Sequence, residues 1–233
     1  MTTHRTRNEP DSKHTEVHIP CGAATLEGTL VIPPAANGIV VFAHGSGSSR
    51  HSPRNQFVAR VIHESGNGTL LFDLLTPDEE IEDNLTRRLR FNIELLARRL
   101  VEVTRWLVAQ PAARDLSIGY FGSSTGGGAA LVAAAEIGRR IDAVVSRGGR
   151  PDLAGAALTR VETPTLLIVG GYDDVVIRLN QEALAELHCE KELKIVPGAT
   201  HLFEEHGALQ AVARLAADWF RQHFQSHSIN ENP

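Results

Sequence analysis

The sequence predicts an α/β chain: a mainly parallel, doubly wound sheet with an antiparallel N-terminal edge. Three observations carry that expectation. Short, continuous apolar runs recur along the chain, as strands buried on both faces require. Segments with helical periodicity separate them, so successive strands are joined by crossovers and lie parallel. The first two β-type runs are the exception, because only a short turn at Gly22 divides them. Of 233 residues, 42% are hydrophobic and 22% charged, which suits a globular chain with a sizeable core.

Residues 1–14, MTTHRTRNEPDSKH, are polar and hold no apolar stretch, so they read as a disordered tail rather than a secretory leader. TEVHI (15–19) and ATLEGTLVI (24–32) read as the antiparallel hairpin. GIVVFAH (38–44) is a buried strand, followed by a helix over 53–65 that begins at Pro53. TLLFDLL (69–75) is the next buried strand, and the acidic run 78–84 reads as a surface loop that could shape the mouth of a site.

Residues 85–109 read as one long amphipathic helix. Leu89, Ile93, Leu96, Leu100, Val103 and Leu107 form its apolar stripe, and Pro111 stops it. Arg87, Arg88, Arg90, Arg98 and Arg99 fall off that stripe and read as a solvated face. Strands at 116–121, 142–146, 165–170 and 192–197 then alternate with helices over 124–138, 175–187 and 207–224. No repeat, linker or composition break interrupts this order, so 15–225 reads as a single domain with a frayed tail at 226–233.

Several classes are disfavoured. A net charge of −5 provides no basic field for nucleic acid or anionic lipid. No apolar stretch is long enough to span a membrane. Cys21 and Cys189 lie far apart and form no metal or redox spacing, which suits a reducing, cytoplasmic compartment. His201 and His206 are separated by Glu204 and Glu205 in a spacing unsuited to helical metal ligands, so no metal is expected. No pattern bears on oligomeric state.

In open α/β sheets, ligands sit at the carboxyl ends of the strands. Just after 116–121 stands Gly122-Ser123-Ser124-Thr125-Gly126, a Gly-x-Ser-x-Gly pattern between an apolar strand and an Ala-rich helix. Such a turn holds its central serine in a strained conformation with the hydroxyl above the sheet. Ser124 is therefore the candidate nucleophile; Ser123 is the fallback, although it breaks the glycine spacing. A serine needs a base, and His201 follows the strand at 192–197 closely. Asp173 and Asp174 compete to orient that histidine. Asp174 is placed to cap the helix starting at Val175, which leaves Asp173; Asp152 is a distant third. The oxyanion needs two donors: the Thr125 backbone N–H and one from His44-Gly45-Ser46-Gly47, with Ser46 preferred over Gly47. His44 reads as a brace for that loop.

The motifs VVFAHGSGSS, GYFGSSTGGGAAL, TPTLLIVGGYDDVV and PGATHLFEEHGAL, in this order, resemble the α/β-hydrolase superfamily and its dienelactone-hydrolase-like group. The likeness runs from about residue 15 to 224. Dienelactone hydrolases proper carry a cysteine where this chain has Ser124. The resemblance implies a serine hydrolase that cleaves a small soluble ester through an acyl-enzyme, without metal or organic cofactor. Thioesterase, acyltransferase or peptidase activity on the same fold is the alternative within that chemistry. A non-catalytic binding module is the alternative outside it. Residues 147–163 are too few for a lid domain, which favours small acyl substrates. Arg147 and Arg150 follow a strand near the expected site and are candidates to bind a substrate carboxylate, or to pair with Asp152 or another acid.

Overall fold

The Gly22 turn creates the first edge of the sheet. In the computed structural model, which describes residues 14–224, β1 (Thr15–Cys21) folds back on β2 (Ala24–Val31) with Cys21 opposite Ala24. Gly22 sits at φ +59, a conformation that costs glycine little. Of the tails expected to be disordered or frayed, 1–13 and 225–233 lie outside the described residues.

The sheet has eight strands in the order β1-β2-β4-β3-β5-β6-β7-β8. The others are β3 (Gly38–Ala43), β4 (Gly68–Phe72), β5 (Ser117–Ser123), β6 (Ala143–Arg147), β7 (Thr165–Gly170) and β8 (Lys191–Val196). β1–β2 and β2–β4 pair antiparallel, and every later pairing is parallel. The joining helices are α1 (Pro53–Glu64), α2 (Pro77–Thr86), α3 (Ile93–Val108), α4 (Thr125–Ile137), α5 (Asp174–Glu186) and α6 (Ala208–His223).

Alternation along each strand builds a core on both faces. Ile39, Val41 and Ala43 of β3 join the cluster beneath α3 and α4, while Val40 and Phe42 join the one beneath α1 and α6. Each of the larger ones, Ile, Val or Phe, contributes about 1.5–3 kcal/mol on burial. The Tyr120 hydroxyl, fully enclosed, is 2.7 Å from Thr104 Oγ1 and so keeps a hydrogen-bond partner. A 3-10 segment, Pro151–Arg160, connects β6 to β7, and no large lid is present among the described residues.

The long helix expected over 85–109 is in fact two helices with a turn between them. The acidic run expected as a loop lies within α2, started by Thr76 and Glu79 in a capping box. Arg87 takes a left-handed φ of 55 and ends α2. Buried Asp83 then accepts N–H bonds from Leu89 (2.7 Å) and Arg90 (3.1 Å), and Asn92 caps α3 through Leu95 N–H. These side-chain bonds to backbone hold the turn against helix formation. The arginine reading also needs correction. Arg87, Arg88 and Arg98 are exposed, but Arg90 pairs with Asp83, and buried Arg99 donates to Leu74 O and Glu79.

Candidate active site

β5 runs directly into α4, and Ser124 is the residue at the corner, with φ 51 and ψ −121. A non-glycine residue held there stores of order 1–3 kcal/mol of strain. The glycines explain how the corner closes. A Cβ on Gly122 would lie 2.6 Å from Gly126 O, and one on Gly126 would overlap Ala43 O. Helix α4 thus starts pressed against β3 and β5. Ser124 N–H donates to Arg147 O at 3.2 Å, and Ser124 O accepts from Gly127 and Arg150 N–H, both at 3.0 Å. The corner is therefore tied to the end of β6.

The loop after β3 lies against this corner. A Cβ on Gly45 would sit 3.1 Å from that of Ser124, and Ser46 Oγ is 3.1 Å from Thr125 Oγ1. Thr125 opens α4, so its N–H is among the unpaired donors at a helix N-terminus. His44 is buried under the loop. Its Nε2 accepts Leu74 N–H at 3.0 Å, which leaves Nδ1 as the donor to Gly45 O. Burial lowers its pKa, consistent with a neutral ring.

Asp173 and His201 meet across the ends of β7 and β8. Asp173 Oδ2 is 2.6 Å from His201 Nδ1. The loop carrying His201 crosses over Gly170, where a Cβ would lie 2.5 Å from Ala199 O. Asp174 does not cap α5 as expected. It is the first helical residue, and Asp173 occupies the cap position with its side chain turned to His201 rather than to the helix. Gly148 links the two halves of the site. It follows Arg147, whose carbonyl holds Ser124 N–H, and a Cβ on it would lie 3.5 Å from His201 Cε1. Among the described residues no hydrogen bond joins His201 to Ser124. Such bonds are often long before substrate binds.

Arg147 and Arg150 differ. Arg150 makes a two-pronged pair with Asp152, at 2.8 and 2.7 Å, and is partly exposed. Arg147 is buried, with Nε and Nη1 sealed and unpartnered. Burial, with the charge of Arg54, lowers its pKa to about 10.

Three supporting residues escaped sequence reasoning. Arg50 N–H binds Asp73 Oδ1 at 2.7 Å, and its guanidinium bridges Asp73 and Glu27, anchoring the loop after β3 to β4 and β2. Buried Asn180 donates to Gly149 O at 3.0 Å and Val176 O at 2.8 Å, fixing α5 to the loop after β6. Only Asp73 carried a signal, as an acid directly after an apolar strand.

The dienelactone hydrolase family model matches residues 26–226. A solved structure described as dienelactone hydrolase from Anabaena variabilis superposes with a TM-score of 0.91 at 57% identity, over 93% of this chain and 100% of that one. A Mycobacterium tuberculosis protein named "Putative phosphoribosyl transferase" is 57% identical over 215 residues, covering 92% of this chain and 48% of that protein. The chain therefore spans about half the length of the curated relatives it matches. Est1E from Butyrivibrio proteoclasticus shares the fold, with a TM-score of 0.75 at 16% identity over 89% of this chain and 98% of that one.

Proposed function

The chain belongs to the dienelactone hydrolase family, and from that premise we propose that it is a serine hydrolase cleaving a small soluble ester through an acyl-enzyme. One observation carries this reading: the 2.6 Å Asp173–His201 pair lies across Gly148 from a serine held at φ 51.

In this mechanism Asp173 accepts a hydrogen bond from the Nδ1–H of His201, which holds the tautomer whose Nε2 is unprotonated and acts as base. Nε2 takes the Ser124 hydroxyl proton as Oγ attacks the acyl carbonyl carbon. The carbonyl electrons move onto oxygen, and that oxyanion is held by the N–H groups of Thr125 and Ser46. Collapse breaks the ester C–O bond, and the departing alkoxide takes the proton from His201. Water then attacks the acyl-enzyme, giving its proton to His201. The second collapse returns that proton to Ser124 Oγ and releases the acid.

Intact-mass labelling with a fluorophosphonate, followed by peptide mapping, tests the assignment. One adduct on Ser124, lost in His201→Ala, is the expected result. No adduct on folded protein would overturn it in favour of a binding module. A panel of p-nitrophenyl esters, thioesters and peptides, with and without alcohol acceptors, then separates esterase from thioesterase, peptidase and acyltransferase.

A further inference from the structure

A buried arginine without a counter-charge is costly unless something pairs with it. Arg147 has that character. It ends β6, and alternation sends its side chain to the α1/α6 face. Ala143 and Val145 of the same strand pack on that face, whereas the Ser146 side chain lies against Gly127 and Gly149 on the other. It is directly opposite Ser123 in the β5–β6 register. Its guanidinium lies over the ring of Phe203 at 5.8 Å, at the outer range of a cation–π contact. Nε and Nη1 are shut away from solvent with no acceptor.

Arg54, at the start of α1, adds positive charge to the same region. Its Nη1 reaches Glu204 at 3.1 Å, next to Phe203, while its Nε is also sealed and unpartnered. The following residue, Asn55, accepts from Ser123 Oγ at 3.4 Å, which places the N-terminus of α1 across from Arg147. That first turn holds no acid, and the N-cap Ser52 takes one of its N–H groups, that of Asn55, at 3.4 Å, so an anion there would still meet the positive end of the helix. The charge of Arg54 acts on Arg147 as repulsion. An anion would relieve it and satisfy the idle donors.

We propose that Arg147 and Arg54 form an oxyanion-binding site on the α1 side of Ser124, taking a carboxylate or phosphate group. The group is either part of the acyl substrate or a free anion acting on the enzyme. The substrate arm rests on the ester-hydrolase reading, whereas the anion site itself does not.

Thermal unfolding of the full chain in inorganic phosphate, against chloride at equal ionic strength, tests the site. Wild type is expected to gain about 3–6 °C at tenfold excess over Kd. Arg147→Met is expected to keep only the general stabilisation that phosphate confers on any folded chain. Where Arg147→Met fails to fold, Arg54→Met carries the same comparison. In parallel, kcat/KM is measured for p-nitrophenyl acetate and for an acid-bearing counterpart, p-nitrophenyl hemisuccinate. Loss of the acid preference in the variant by about tenfold to a hundredfold assigns the site to substrate. Protection by phosphate with an unchanged ratio assigns it to a free anion. Equal protection of wild type and variant, with an unchanged ratio, overturns the proposal and leaves Arg147 a stacking partner of Phe203. If phosphate protects but neither ester is cleaved and Ser124 takes no label, the ester reading fails and the anion site stands.

Discussion

Asp173 Oδ2 lies 2.6 Å from His201 Nδ1, while the neighbouring Asp174 is exposed in the first turn of α5. The two acids differ by one place in sequence and are expected to differ sharply in function. Asp173→Asn keeps the shape but presents an amide to Nδ1 and favours the wrong tautomer. Its kcat is expected to fall by about 10³–10⁴. Asp174→Ala removes only a helix-terminal charge, worth about 0.3–1 kcal/mol, and is expected to keep kcat near wild type. Ester kinetics on both variants check this; a larger loss in Asp174→Ala would reverse the assignment.

Ser124 at φ 51 stores strain that the fold sustains. Ser124→Gly is expected to raise stability by about 1 kcal/mol while abolishing fluorophosphonate labelling. Gly122→Ala is the opposite case, because its Cβ meets Gly126 O at 2.6 Å. It is expected to lower stability by about 1–3 kcal/mol or more. Urea unfolding with an unchanged m-value measures both.

Asp73 and Arg50 tether the loop carrying Ser46. Asp73→Ala leaves Arg50 without that partner and frees the loop. The expected result is a fall in kcat of about a hundredfold, since misplacement on the scale of 1 Å has that cost, with KM little changed. A rise in KM at constant kcat would instead place Asp73 in substrate binding.

Arg150 already has a partner in Asp152, on a partly exposed surface. Arg150→Ala is expected to cost at most about 1 kcal/mol of stability and to leave the ratio of acidic to neutral ester hydrolysis unchanged. A selective loss on the acidic ester would move the anion site from Arg147 to Arg150.

His63 packs against β4 with its Nε2 2.6 Å from Thr69 Oγ1, and burial, reinforced by the charge of His14, lowers its pKa from 6.5 to about 4. Between those two values the unfolded chain binds a proton that the folded chain does not. Stability therefore falls as pH drops through that window and levels off below it. His63→Gln lacks this titration. Its urea midpoint is expected to fall less than that of wild type between pH 6.5 and 4. Equal slopes would show that His63 is solvated.

The strands were legible because burial on both faces leaves a continuous apolar signature, and β7 begins and ends where the apolar run TLLIVG does. The corner at Ser124 was legible because its steric demands fall on residues within two places of it. The α2–α3 break was not. The apolar stripe continues through Leu89, and only the buried carboxylate of Asp83, bonding forward to Leu89 and Arg90, makes the chain turn there.

Sequence by itself determined the order of the strands and of the helices outside the α2–α3 segment, the parallel sheet with its hairpin edge, and the strained serine between β5 and α4. Each depends on periodicity or on sterics within a few residues. Tertiary structure alone decided which aspartate faces His201, that Arg150 is paired, and that Arg99 and Arg147 are buried. Those outcomes turn on desolvation and on partners that only folding brings near, such as Asp173 and His201, 28 residues apart, or Ser46 and Thr125, 79 apart. Charge and burial act through space, and a linear pattern carries no record of which distant group will be there to answer them.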